Sequence, residues 1–284
     1  LIGIEKISMK KVNQREPNVI GVEGLLVPEE GIVNYREVAD CLMDDIKNMG
    51  GQIFLNTRIV RLDESKNSQI LISSKKEKFE AGIIISSSGL YSDKTAELLG
   101  FKLKQKQIIP FRGEYYCLKE KYKNLVNHLI YPVPNPKFPF LGVHFTRMIN
   151  GEVEAGPNAV LALSREGYSW RDINLLELFD TLKFKGLTNF IYKYPKITFG
   201  EVMRSFNKEI FTKSLQEFIP EINSNMLIKG EPGVRAQLMN ETGDLIQDFD
   251  IVHKKNKIAI LNAPSPAATS SLSIARYIAE FIQK

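Results

Sequence analysis

Two short apolar runs, residues 82–86 near the front of the chain and 258–261 near its end, constrain this fold more than any other feature. Each is too short for a helix and carries no polar alternation, which is the pattern of a strand covered on both faces of a parallel-type sheet. Each then passes through a turn into a helix. Ser87-Ser88-Gly89 leads into a helix over residues 91–99, and a Pro/Ala/Ser loop over 262–269 leads into one over 270–283. Units of this kind at both ends of a chain require the material between them to be an insertion.

Ahead of the first unit, Tyr35, Val38, Ala39, Leu42, Ile46 and Met49 repeat at helical spacing, so a helix is expected over 34–49. Asn34 and Glu37 form its capping pair, and Gly50-Gly51 ends it. A strand is expected at 53–55, then a meander of three at 58–62, 69–73 and 78–80. Between the two units the texture changes. Apolar-rich runs at 111–118, 129–133, 140–145, 152–155 and 160–163 alternate with Pro/Gly turns and read as an antiparallel sheet. Residues 172–219 read as helical, and strands follow at 233–238 and 249–252. The fold class is mixed α/β and α+β: a discontinuous α/β domain with an antiparallel-sheet domain inserted.

The composition, 43% hydrophobic and 25% charged over 284 residues, is that of an ordinary globular protein. The net charge of +5 is spread over turn lysines such as Lys75, Lys76, Lys254 and Lys255, without the basic-aromatic cluster of a nucleic-acid binder. It leaves room for weak attraction to anionic substrates or an anionic membrane surface. Cys41 and Cys117 have no Cys-x-x-Cys neighbour, so neither a disulfide framework nor a zinc site is expected, and a reducing compartment is the default. No apolar run reaches membrane-spanning length and no signal peptide is seen, and a cytoplasmic location is the expectation. Neither a Gly-x-Ser-x-Gly elbow nor metal-type histidine spacing occurs, which disfavours hydrolases.

Several segments, in order along nearly the whole chain, resemble one family. They are Val27-Pro28-Glu29-Glu30-Gly31-Ile32-Val33, Pro110-Phe111-Arg112-Gly113-Glu114-Tyr115-Tyr116, Ile130-Tyr131-Pro132-Val133-Pro134 and Phe138-Pro139-Phe140-Leu141-Gly142-Val143-His144-Phe145-Thr146-Arg147. Further on come Ala155-Gly156-Pro157-Asn158-Ala159-Val160, Gly233-Val234-Arg235-Ala236-Gln237 and the loop Asn262-Ala263-Pro264-Ser265-Pro266-Ala267-Ala268-Thr269. The chain is similar to the D-amino-acid-oxidase-like flavoproteins, and within them to the L-2-hydroxyglutarate oxidase/dehydrogenase family. The resemblance implies FAD as cofactor and a Rossmann-like FAD-binding domain over 32–100 and 229–284, with an inserted substrate domain over 101–228 to which 1–31 adds a segment. It implies oxidation of an L-2-hydroxy acid, L-2-hydroxyglutarate, to the 2-oxo acid by hydride transfer to flavin. Oxygen, or a quinone or carrier, would take the electrons, the latter at a membrane surface: the inner membrane, or the mitochondrion in a eukaryote. Amine or amino-acid oxidation of the glycine or sarcosine type is the alternative chemistry, and a non-catalytic remnant the alternative class. The family opens with a Gly-x-Gly-x-x-Gly turn whose backbone meets the pyrophosphate. None occurs from Leu1 onward, so a fragment that binds FAD weakly or not at all is expected.

Oxidising a 2-hydroxy acid requires an anchored carboxylate, a base for the hydroxyl proton and a path for the hydride. Arg112, between Phe111 and Gly113, wants an anion, either the substrate or nearby Glu114. Arg147 is a second carboxylate candidate or a surface residue past a strand end, and Arg235 a third, for the substrate or the flavin edge. His144, flanked by Val143 and Phe145, is a core histidine or the proton acceptor; His128 and His253 lie near turns. Tyr115 and Tyr116 alternate, so at most one faces a pocket. Tyr116, four positions from Arg112, is the substrate-side candidate, and Tyr131 before Pro132 closes the pocket. Asn262, Ala263, Pro264, Ser265, Pro266, Ala267, Ala268 and Thr269 are the expected flavin-facing loop, Thr269 or Ser270 capping the next helix. By resemblance, Val60, Ser88 and Gly89 line the FAD adenosine. Plain structural roles, a core valine and a strand-end turn, fit those three residues equally.

Overall fold

A computed structural model describes residues 3–64, 68–133 and 142–283. Pro134, Phe138, Pro139, Phe140 and Leu141 of the segments above lie outside the described residues.

The chain opens with an antiparallel pair, β1 (Glu5–Ser8) and β2 (Glu23–Leu26), joined through the short helix α1 (Met9–Arg15). Helix α2 (Tyr35–Asn48) follows. The Asn34 side chain accepts the Arg36 N–H at 3.1 Å and donates to Glu37 at 2.8 Å, the expected cap. Gly50, at φ +83°, ends the helix. The expected strand at 53–55 is instead loop and turn, because a run of that length holds extended geometry only with a partner strand. The meander forms in the expected order as β3 (Ile59–Glu64), β4 (Gln69–Ser73) and β5 (Lys78–Ala81). Then come β6 (Ile84–Ser86), a 3-10 turn at Gly89–Tyr91 and α3 (Ser92–Leu98).

The middle of the chain supplies β7 (Lys106–Gly113), β8 (Tyr116–Leu118), β9 (His144–Arg147), β10 (Val153–Gly156) and β11 (Val160–Leu161). Four helices follow: α4 (Leu175–Lys183), α5 (Lys185–Lys193), α6 (Pro195–Phe206) and α7 (Lys208–Gln216). The chain closes with β12 (Leu227–Lys229), β13 (Gly233–Asn240), β14 (Asp250–Lys254), β15 (Lys257–Asn262) and α8 (Ser271–Gln283).

The run 111–118, expected as one strand, is two. β7 lies between β11 and β13, whereas β8 belongs to a four-stranded sheet of order β12-β8-β10-β9. The break falls where the Glu114 N–H and carbonyl turn to Asn158 instead of a ladder neighbour. The run 129–133 contributes only an isolated bridge, Ile130 to Phe145.

β6 and β15 pair in parallel, with Ala259 opposite Ser86, so the two ends of the chain meet in one sheet as the two flanking units require. The expectation that 82–86 is covered on both faces is corrected. β6 begins at Ile84 and pairs with β15 alone among the described strands, and Ile83 and Ile85 are 44% and 46% exposed.

Two of the four apolar clusters among the described residues bear on the site. Phe145, Val153, Ala155, Leu118 and Leu227 form the inner face of the four-stranded sheet and pack on Phe211, Leu215 and Ile219 from α7 and the turn after it. Asn207 caps α7 by accepting the Glu209 and Ile210 N–H groups. Side chains as fully buried as Phe211 and Leu215 each contribute about 1.5–3 kcal/mol from lost water contact. The second core sets Ile84, Ala259 and Leu261 against Ala96 and Leu99 of the α3 region, with Ile108 and Leu238 from the long β7–β13 ladder.

Candidate functional site

Because side chains alternate along a strand, sending Phe145, Val153, Ala155, Tyr116, Leu118 and Leu227 into the core turns a second row outward. That row, in register across the sheet, is Ile228, Cys117, Glu154 and Thr146, with His144 two positions along β9 from Thr146. This open face carries the candidate site.

The bridge between Ile130 and Phe145 places Tyr131 opposite His144. The two rings stack with centroids 4.2 Å apart and planes 16° from parallel. The Tyr131 hydroxyl lies 3.3 Å from Thr146 Oγ1, which holds the phenol over the sheet. His144 Nδ1 is 3.1 Å from the Gly142 carbonyl. A carbonyl only accepts, so neutral His144 carries its proton on Nδ1 and presents the Nε2 lone pair. Burial pushes the imidazole below its ordinary value of 6.5, and the positive Arg235 adds to the push, while the Gly142 contact opposes it. At neutral pH His144 is therefore an uncharged acceptor.

Arg235 enters from β13. Its guanidinium lies beside the Tyr115 phenol, whose own ionisation burial makes harder and Arg235 only partly eases. Tyr115 thus stays protonated, a donor beside a cation. The described arginines that form ion pairs are Arg61, Arg112, Arg165 and Arg204; Arg235 is in none of these. Tyr115 stands where the chain crosses from β7 to β8, and its carbonyl accepts the Gly230 N–H at 2.8 Å. On its other side Gly156, at φ +144°, is glycine for two reasons: that conformation, and a Cβ there would come within 3.0 Å of the Tyr115 ring.

The structure therefore brings Tyr131, His144 and Arg235 together and adds Tyr115. It does not bring in the other three candidates. Tyr116 packs its ring on Phe211, centroids 4.8 Å apart, in the core. Arg112 is fully buried and gives Nη2 and Nε to Glu114 Oε1 at 2.9 and 3.2 Å, beneath Trp170 at 4.7 Å. That is the ion-pair alternative the sequence left open; Arg112 Nη1 has no partner among the described residues. Arg147, on the face of β9 opposite His144, clamps the Lys123, Val126 and Gly151 carbonyls. Alternation offered either tyrosine at 115 and 116; the break between β7 and β8, unseen in the sequence, picks Tyr115.

The cofactor candidates lie elsewhere in the fold but near one another. The carboxyl ends of parallel β6 and β15 lie side by side and deliver Ser88-Gly89 and the 262–269 loop, the edge at which such sheets take ligands. Gly89, at φ +51°, has nothing within 4 Å of where a Cβ would stand, and Ala263, Ser265, Pro266 and Ala268 are exposed. The Ser270 carbonyl accepts the Ile274 N–H, so helix α8 points its N-terminus, with amides that have no intrahelical partner, at this edge. Open space and small side chains fit one flank of a flavin, while the Ser270 and Ser271 N–H groups donate back to the Pro266 and Ala268 carbonyls. Two members of the loop have structural partners. Asn262 is buried and donates to the Ile246 and Asp248 carbonyls, and Thr269 Oγ1 meets the Tyr35 hydroxyl at 2.8 Å. Val60 is 48% exposed at an irregular step in the β3–β4 ladder.

Comparison with known proteins shows the family. Residues 1–281 match the family described as FAD dependent oxidoreductase. An L-2-hydroxyglutarate dehydrogenase of Indibacter alkaliphilus is 46% identical over 284 residues, covering all of this chain and 71% of its own length. The protein of that name from Escherichia coli K12 is 39% identical, covering 99% of this chain and 67% of its own length. Among solved structures, L-alpha-glycerophosphate oxidase from Mycoplasma pneumoniae with FAD bound superposes with a TM-score of 0.68 at 20% identity, over 96% of this chain and 62% of that one. At that identity the likeness speaks for the fold.

Proposed function

Because the chain belongs to the FAD-dependent oxidoreductases and, within them, to the L-2-hydroxyglutarate dehydrogenase family, we propose that Tyr115, Tyr131, His144 and Arg235 bind and oxidise L-2-hydroxyglutarate to 2-oxoglutarate. One observation carries the reading: a half-buried arginine, in no ion pair among the described residues, stands at the Tyr115 phenol and within electrostatic reach of His144, whose Nδ1 is taken up by the Gly142 carbonyl so that Nε2 faces away from it. Arg235 grips the carboxylate beside the reacting carbon, and guanidinium suits that geometry because its paired donors match two oxygens. Tyr115 donates its hydroxyl to the same end. His144 Nε2 takes the substrate hydroxyl proton as the hydride leaves the same carbon, so the alcohol becomes a ketone. Tyr131 holds the imidazole plane by stacking. The flavin, when bound, accepts the hydride; Ser88, Gly89 and residues 263–269, with the α8 N-terminus, would hold its near flank.

The relatives' name, dehydrogenase, favours a quinone or protein carrier over oxygen as electron acceptor. No helix among the described residues is long and apolar enough to cross a membrane, so access to a membrane quinone would be from the surface. Bleaching of flavin absorbance under anaerobic conditions tests the substrate. L-2-hydroxyglutarate should bleach it, with sarcosine and glycine inert; bleaching by sarcosine alone would transfer the site to amine chemistry.

A further inference from the structure

We propose that Asn158 and Arg112 are positioning residues that fix the Tyr115 phenol against Arg235 by immobilising the intervening residue, Glu114. The inference rests on the reading of Tyr115 as a substrate donor.

Every polar group of Glu114 is engaged. Its main-chain N–H donates to Asn158 Oδ1 at 2.8 Å, and its carbonyl accepts the Asn158 N–H at 3.3 Å. Its carboxylate takes Asn158 Nδ2 on Oε2 at 2.8 Å and the Arg112 fork on Oε1. Asn158 is 2% exposed and Arg112 fully buried, so water does not substitute for these bonds. The set stands where the chain leaves the β11-β7-β13 sheet for the four-stranded one. Glu114 and Tyr115 fall between the strand bounds of β7 and β8, and among the described residues the Asn158–Arg112 side-chain clamp is what holds Glu114 on that side of the phenol. On the far side, Gly230 holds the Tyr115 carbonyl and Gly156 gives its ring room. Neither Asn158 nor Arg112 needs to touch substrate. They act through one residue of backbone, and a phenol displaced by an ångström loses its donor geometry.

Action through Tyr115 has a signature that a general structural role lacks: non-additivity. In the flavin-loaded, full-length protein, Asn158→Ala should lower kcat/KM for L-2-hydroxyglutarate roughly tenfold, the scale of one misplaced hydrogen bond. In a Tyr115→Phe background the same substitution should change kcat/KM less than about twofold, although both backgrounds lose the same thermal stability. Arg112→Lys, which keeps the cation but not the fork, should repeat the pattern if Asn158→Ala does not fold. Additive losses in both backgrounds would overturn the positioning role while leaving Tyr115 in the site. If Tyr115→Phe alone leaves kcat/KM unchanged, the assignment of Tyr115 falls, and the positioning proposal falls with it.

Discussion

Replacing Arg235 by methionine probes the site at the point on which the reading depends. The side chain is half-buried, lies beside the Tyr115 phenol and takes no part in the ion pairs of the described arginines. A hydrogen bond to a charged group contributes about 1.5–3 kcal/mol, and a guanidinium fork makes two to one carboxylate. Solvent access on one side argues for the lower figure, so about 3 kcal/mol should be lost. At about 1.4 kcal/mol per tenfold, that is a factor of roughly 100 in affinity. Arg235→Lys keeps the charge and loses one of the two bonds, about 1.5 kcal/mol or tenfold. The assay is the dissociation constant of 2-oxoglutarate, read from its perturbation of the flavin spectrum, with kcat/KM for the hydroxy acid alongside. A second signal accompanies it. Arg235 helps to hold the His144 imidazole below 6.5, so removing the charge should move the acid limb of the kcat/KM profile to higher pH. A dissociation constant for the methionine variant within about threefold of the wild type, with an unmoved acid limb, would refute the assignment of Arg235 as carboxylate anchor.

Three other outcomes are expected. His144→Gln should slow flavin reduction by about 10²–10⁴-fold, the usual contribution of a general base. In the parent, kcat/KM should rise with pH through an apparent pKa below 6.5 and then level off, since the depressed imidazole must be neutral to accept a proton. Stopped-flow reduction at several pH values checks both, and a limb that persists in the glutamine variant assigns the titration to another group. Arg165→Met should destabilise the fold by about 3–5 kcal/mol, because it leaves Asp93, 1% exposed and paired to Arg165 at 2.6 and 2.8 Å, without its cation. Urea unfolding measures the loss, and a cost below about 1 kcal/mol would show that Asp93 finds another partner or takes up a proton.

Much of the architecture is local and was therefore legible in the sequence. The α2 cap needs only Asn34 and Glu37 three residues apart, the meander needs its turns, and the strand-turn-helix units at 84–98 and 257–283 need short apolar runs followed by small residues. The pairing of β6 with β15 fits the discontinuous domain that the two flanking units implied. Which arginine meets the substrate was another matter. Arg112, Arg147 and Arg235 all sit in strands among apolar neighbours and look alike in one dimension. Only the folded chain gives Arg112 the Glu114 carboxylate and the Trp170 face, and sets three carbonyls around Arg147. Arg235 it leaves beside a phenol and a neutral imidazole. The break between β7 and β8, where Asn158 from the β10–β11 connection holds Glu114, likewise puts Tyr116 in the core and leaves Tyr115 outside it. Helix caps and strand periods are written by neighbours in sequence. The partner of a charge is decided by neighbours in space, and those exist only once the sheets have packed.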